Sequence, residues 1–113
     1  MKLGEQQELF MRQLPRLLDK AHELGFEIRG GDLFRDPRSH GAIGTRKAYG
    51  NAYSCHKFKL AIDLNLFIKG TFVDSTEGHR ELGEWWELQH ELNCWGGRFQ
   101  DGNHYSMTYD GVK

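Results

Sequence analysis

The 113-residue chain is 38% hydrophobic and 12% aromatic, enough for one domain with a core of its own and too short for two. Its 15 basic and 16 acidic residues leave a formal charge of −1 with no run of like charge, which argues against the basic face that nucleic-acid binding needs. No apolar stretch approaches the roughly 20 residues of a membrane span, and "MKLGEQQELF" lacks the apolar centre of a secretory signal, so retention in the cytoplasm after synthesis is expected, with Cys55 and Cys94 kept as thiols.

From Glu5 to Leu24, the positions Leu9, Phe10, Leu14, Leu17, Leu18, Ala21 and Leu24 follow helical spacing, and Gly25 is placed to end the helix. Pro15 falls inside it and predicts a kink or a second helix starting there. "FEIRGGD" reads as a short strand closed by a glycine turn. Residues 35 to 54 hold three glycines, which predicts a long loop with one helical turn after Asp36-Pro37. Loops of that length in small domains are often functional.

The clearest strand runs from Lys59 to Ile68, with Leu60, Ile62, Leu64, Leu66 and Ile68 on one face and Ala61, Asp63, Asn65 and Phe67 on the other. The first face is core, and the second presents Asp63 to a cleft. Lys69-Gly70 suits a tight turn into "TFV". Ser75 or Thr76 can cap a helix running to about Leu92, packed through Leu82, Trp85, Trp86 and Leu88. "NCWGGRFQDGN" reads as a loop, and "HYSMTY" alternates again, with His104, Ser106 and Thr108 opposite Tyr105, Met107 and Tyr109.

An aspartate is unfavourable within a strand and calls for a cationic partner. His56 stands just before that strand and His104 opens the last one, so two imidazoles and the Asp63 carboxylate fit a catalytic zinc site whose fourth position is left for water. Asp101, on the loop three residues before His104, is placed to take a proton from that water as general base. Taken singly, a histidine at a strand end is ordinary, as is an aspartate on a strand; the four positions together point to a site. Other groupings are weaker. His90 and Cys94 have no second pair to complete a metal site, Cys55 and His56 point to opposite faces, His22 and His79 read as solvent-facing helix residues, and His40 reads as a loop histidine.

Ser54 and His56, then Ala61 and Asp63, then "WGGRF" at Trp95 to Phe99 and "DGNHY" at Asp101 to Tyr105, form a pattern that resembles the M15 family of zinc peptidases, which cleave peptidoglycan peptides. The likeness spans about residues 26 to 110 and is greatest to small phage endolysins that act as L-alanyl-D-glutamate endopeptidases; D-alanyl-D-alanine carboxypeptidases and dipeptidases are relatives. Many members carry glycine where Lys59 stands and glutamate where Asp101 stands. The resemblance implies zinc held by His56, Asp63 and His104, Asp101 as catalytic base, and an oxyanion-stabilising arginine matched by Arg35, with Arg46 of the same loop as the alternative. It also implies substrate contacts from Ser54 and Tyr105.

The expected molecule is an α+β domain, residues 1 to 113, with helices packed on one side of a small, mainly antiparallel sheet and zinc in an open cleft. Its expected partner is the peptidoglycan stem peptide, with no nucleic acid and no stable membrane insertion. It is expected to act as a monomer without a wall-binding domain, reaching the periplasm and cell wall after the membrane is opened, for example by a holin. Two rivals are a non-catalytic peptide-binding module, for which a structural zinc would require a fourth protein ligand, and a nuclease, which would require a basic face.

Overall fold

The structure is a computed structural model that describes residues 1–35, 42–44 and 54–113. Among the described residues it is α+β, with an antiparallel five-stranded sheet and two α-helices. Helix α1 spans Leu3–Glu23 and α2 spans Arg80–Gln89. The strands are β1 (Glu27–Gly30), β2 (Ala61–Ile68), β3 (Thr71–Phe72), β4 (Asn93–Trp95) and β5 (His104–Met107).

Helix α1 begins where the Glu5 carboxylate accepts from the Lys2 backbone N–H at 2.9 Å. It runs through Pro15 as one helix rather than dividing there. Its buried stripe of Phe10, Leu14, Leu17 and Ala21 meets Leu82 and Trp86 of α2 and lies over Ile62, Leu64, Leu66, Tyr105 and Met107 of the sheet. Both helices therefore cover the same face. Phe10 and Trp86 meet edge to face, with ring centroids 6.1 Å apart.

The strand order is β1-β2-β5-β4, with β3 pairing the far end of β2 on the edge it shares with β5. Lys69 and Gly70 both adopt positive φ, the geometry that a two-residue turn between β2 and β3 requires. The pairing of β2 with β5 sets Ile62 opposite Tyr105 and Asp63 opposite His104. Because alternate residues take opposite faces, the first pair enters the core and the second faces away from the helices.

Four sequence expectations are corrected. Strand β2 begins at Ala61 because Lys59 takes a left-handed conformation, φ 62°, that turns the chain into the sheet. Ile68, at the end of the alternating face, is exposed because it lies past the part of the sheet the helices cover. The helix expected from Ser75 or Thr76 to Leu92 is a 3-10 turn, Glu77–His79, followed by the shorter α2, and Leu88 points to solvent. Finally, "NCW" is strand β4 rather than loop, and a 3-10 turn, Gly96–Phe99, follows it. The helical turn expected after Asp36-Pro37 lies outside the described residues, as do His40 and Arg46.

Candidate metal centre

His56 is positioned by local structure that begins at Ser54. The Ser54 hydroxyl accepts from the His56 backbone N–H at 3.2 Å, opening the 3-10 turn Cys55–Phe58. The His56 ring is fully buried, and its Nδ1 lies 3.1 Å from the Leu33 carbonyl oxygen. A carbonyl can only accept, so Nδ1 carries a hydrogen. Nε2 faces Asp63 Oδ1 at 3.1 Å, where it donates a hydrogen bond when the ring is protonated and offers a lone pair when the ring is neutral.

Asp63 is held on one side by the chain just after β1 and on the other by β5. Its N–H donates to the Asp32 carbonyl at 2.8 Å and its carbonyl accepts from Gly31 N–H at 3.0 Å. This close passage needs glycine, since a Cβ on Gly31 would lie 2.9 Å from both the Cβ and the carbonyl oxygen of Asp63. On the other side, the β5 register brings His104 Nδ1 to 3.5 Å from the same carboxylate oxygen. The His56 and His104 rings stand at 72° with centroids 5.1 Å apart. Burial by itself would raise the Asp63 carboxyl, but hydrogen bonding to His104 and His56 outweighs it and holds the group well below the usual carboxylate range.

One ligand-type atom from each of His56, Asp63 and His104 lies within 4.8 Å of the other two, so the group could hold a metal ion. The spacing fits the chemistry. A tetrahedral ion with bonds of about 2.0–2.2 Å sets its ligand atoms roughly 3.3–3.5 Å apart, and the two contacts to Asp63 Oδ1 are 3.1 and 3.5 Å. An imidazole lone pair aimed at a carboxylate oxygen at that distance also calls for a cation or proton between them. The Leu33 carbonyl fixes the His56 ring as an outer partner of a metal ligand does. Among the described residues, His104 Nε2 is buried without a hydrogen-bond partner, and the half-exposed Phe99 ring stands edge-on at 5.7 Å from the His104 ring.

Two further predicted residues reach the group. Arg35 sends its guanidinium to 4.0 Å from Asp63 Oδ2, while its Nε pairs with Asp32 at 3.3 Å. The half-exposed Asp101 carboxylate lies 3.9 Å from His104 Nδ1, beside the ligand set rather than within it. Its place is set by a tight turn in which Asp101 N–H donates to the Gly96 carbonyl at 2.9 Å and His104 N–H to the Asp101 carbonyl at 3.1 Å.

Ser54 is buried and engaged in capping the turn that carries His56. Tyr105 is corrected: strand alternation puts it on the core face, where it is fully buried and its hydroxyl lies 2.7 Å from His79 Nδ1, away from any substrate at the metal group. His79 is corrected with it, being buried rather than solvent-facing. Among the described residues His90 and Cys94 form no metal group: His90 Nδ1 accepts from Leu92 N–H, and the Cys94 thiol meets the Trp95 carbonyl. Both cysteines are buried free thiols, and burial pushes the Cys55 thiol up to about 12. Sequence reading missed Asp32, Leu33 and Gly31; a residue acting through its backbone carbonyl leaves no signal in its side-chain identity. No family model and no curated protein matches the chain.

Proposed function

We propose that the protein is a zinc-dependent peptidoglycan peptidase that hydrolyses the L-alanyl-D-glutamate bond of the stem peptide. The observation that carries this reading is the convergence of one ligand-type atom from each of His56, Asp63 and His104 within 4.8 Å of the other two, with a non-ligating carboxylate, Asp101, 3.9 Å from one of them. When bound, zinc supplies Lewis-acid polarisation of a carbonyl and acidifies water to a pKa of about 7.

The chain's own residues would do the rest. His56 and His104 hold their rings still, one through the Leu33 carbonyl and the other through the β2–β5 register. Asp101, half exposed at the edge of the group, takes a proton from the attacking water as the water oxygen bonds to the scissile carbonyl carbon. As the carbon–nitrogen bond breaks, Asp101 returns that proton to the leaving amine. Arg35 lies beside the outer oxygen of Asp63, where its planar guanidinium can offer hydrogen bonds to the developing oxyanion. The peptidoglycan assignment rests on the sequence motifs rather than on the geometry. With synthesis in the cytoplasm, the enzyme would reach the wall once the membrane is opened.

Asp101→Asn provides the test. It should retain the fold and zinc while hydrolysis of purified peptidoglycan falls by about 10²–10⁴-fold, with the new termini of wild-type digests identified by mass spectrometry. Retention of near wild-type turnover would remove Asp101 as the base, and release of free D-alanine instead of new D-glutamyl amino termini would reassign the bond.

A further inference from the structure

Asp101 borders a second feature that the proposed chemistry leaves unused. A cavity of about 230 Å³ opens between the segment after β3 and the loop before β5, lined by Asp74, Ser75, Thr76, His79, Asp101 and Asn103 among others. The two walls are packed backbone to backbone, since a Cβ on Gly102 would lie 2.6 Å from Thr76 Cα. The cavity is thus part of the folded framework, and one of its wall residues, Asp101, lies 3.9 Å from His104 of the metal group.

His79 gives it a defined hydrogen-bonding character. The residue is 3% exposed yet lines the cavity, and its Nδ1 lies 2.7 Å from the Tyr105 hydroxyl. Burial pulls His79 down to about 4, so its ring is neutral near pH 7. Among the described residues the phenol has no other hydrogen-bond partner, so its hydrogen is donated to Nδ1. The remaining hydrogen of the neutral imidazole then sits on Nε2. Nε2 has no partner among the described residues and is left as a donor for whatever enters the cavity. Against this donor stand two carboxylates, Asp74 and Asp101, and no lysine or arginine among the described lining residues.

We propose that this cavity is the subsite for the residue on the amine side of the scissile bond, and that it takes a carboxamide there in preference to a carboxylate. The inference rests on the peptidase reading for its orientation. If Asp101 returns a proton to the leaving amine, the residue carrying that amine must lie on Asp101's side of the metal group, where the cavity is. A carboxamide matches the lining because its oxygen accepts from His79 and its NH₂ donates to a carboxylate. A carboxylate would meet two like charges.

The test compares two stem peptides, identical except that one carries D-isoglutamine and the other D-glutamate after L-alanine, using zinc-loaded wild type and Asp74→Lys. Asp74 is exposed, so the variant should fold. Wild type should favour the amide by about four-fold in kcat/KM, the size of one like-charge contact at about 5 Å in water, and Asp74→Lys should bring the ratio to unity or below. A second readout needs no turnover: free D-isoglutamine should shift the backbone amide resonances of Ser75, Thr76 and Asn103, and D-glutamate should do so less. Peptides cut with an equal ratio that Asp74→Lys leaves unmoved would overturn the subsite while the peptidase reading stands. Shifts at these amides with neither peptide cut would overturn the peptidase reading while the cavity's preference stands. Neither cleavage nor shifts would overturn both.

Discussion

Gly96→Ala tests how the loop carrying Asp101, the proposed base, is tied to the candidate metal group without altering any proposed ligand. A Cβ on Gly96 would lie 2.1 Å from the Asp101 carbonyl oxygen and 2.6 Å from His104 Cβ. Reaching the 3.4 Å of ordinary contact would require the first to retreat by about 1.3 Å and the second by about 0.8 Å. Neither atom is the end of a flexible side chain. One belongs to the backbone of the turn that holds Asp101, and the other roots the His104 ring in β5. Overpacking of this kind costs roughly 1–3 kcal/mol, which lowers the melting temperature by about 4–12 °C at about 4 °C per kcal/mol for a domain of this size. Displacing a ligand's support should also weaken zinc by about 10–100-fold. Gly4→Ala is the control, because nothing lies within 4 Å of the Cβ it would gain. Thermal unfolding of the metal-free proteins and zinc competition against a chelator measure the two effects. If Gly96→Ala melted within about 1 °C of wild type and bound zinc equally well, the coupling between loop and centre would be wrong.

His56→Ala and His104→Ala should each lose tightly held zinc, read as metal content after dialysis against a chelator; a variant that still held one zinc per chain would remove that residue from the ligand set. Arg35→Ala should lower turnover on a defined stem peptide by roughly 10²–10³-fold with zinc content unchanged, and Arg35→Lys should fall between it and wild type. If Arg46→Ala proved the crippled variant, the oxyanion role would pass to Arg46. His79, buried and neutral, should make stability fall with acid. The unfolded chain binds a proton below about 6.5, whereas the folded chain resists until about 4, so stability is full above that window and declines through it as pH drops. The loss is on the order of 3 kcal/mol, and denaturant titrations across the window should show a shallower slope for His79→Gln.

The core half of β2 was legible because its residues obey a two-residue period that only a strand uses, and Asp63 stood out as the one acid in that strand. The period could not report where the helices stop covering the sheet, which is why Ile68 was misplaced. His79 and Tyr105 show a second limit. His79 sits on the 3-10 turn ahead of α2, where helical periodicity does not apply, and its burial follows from the 2.7 Å contact with a residue 26 positions away. For Tyr105, alternation had already placed the ring opposite His104, and motif likeness assigned it to the cleft against that rule; the core placement follows alternation. The Leu33 carbonyl and the Gly31 passage were invisible because they depend on how the chain after β1 lies against β2 and the turn carrying His56.

The aspartate in an apolar strand now has a physical account. A buried carboxylate is costly unless it is paired, and Asp63 has His56, His104 and Arg35 within 4.0 Å. What keeps it there is the neighbouring residue. Ile62 and Tyr105 are opposite one another on the core face, one position before Asp63 and one after His104. A slip of one residue in this pairing would turn the apolar pair outward and bury the aspartate beneath the helices. The register that fills the core is therefore the register that brings Asp63 and His104 together, and the metal group is assembled by the same packing that stabilises the fold. On this argument, core substitutions at Ile62 that leave the chain folded but loosen the β2–β5 pairing should weaken the centre as well, although Ile62 faces the other way.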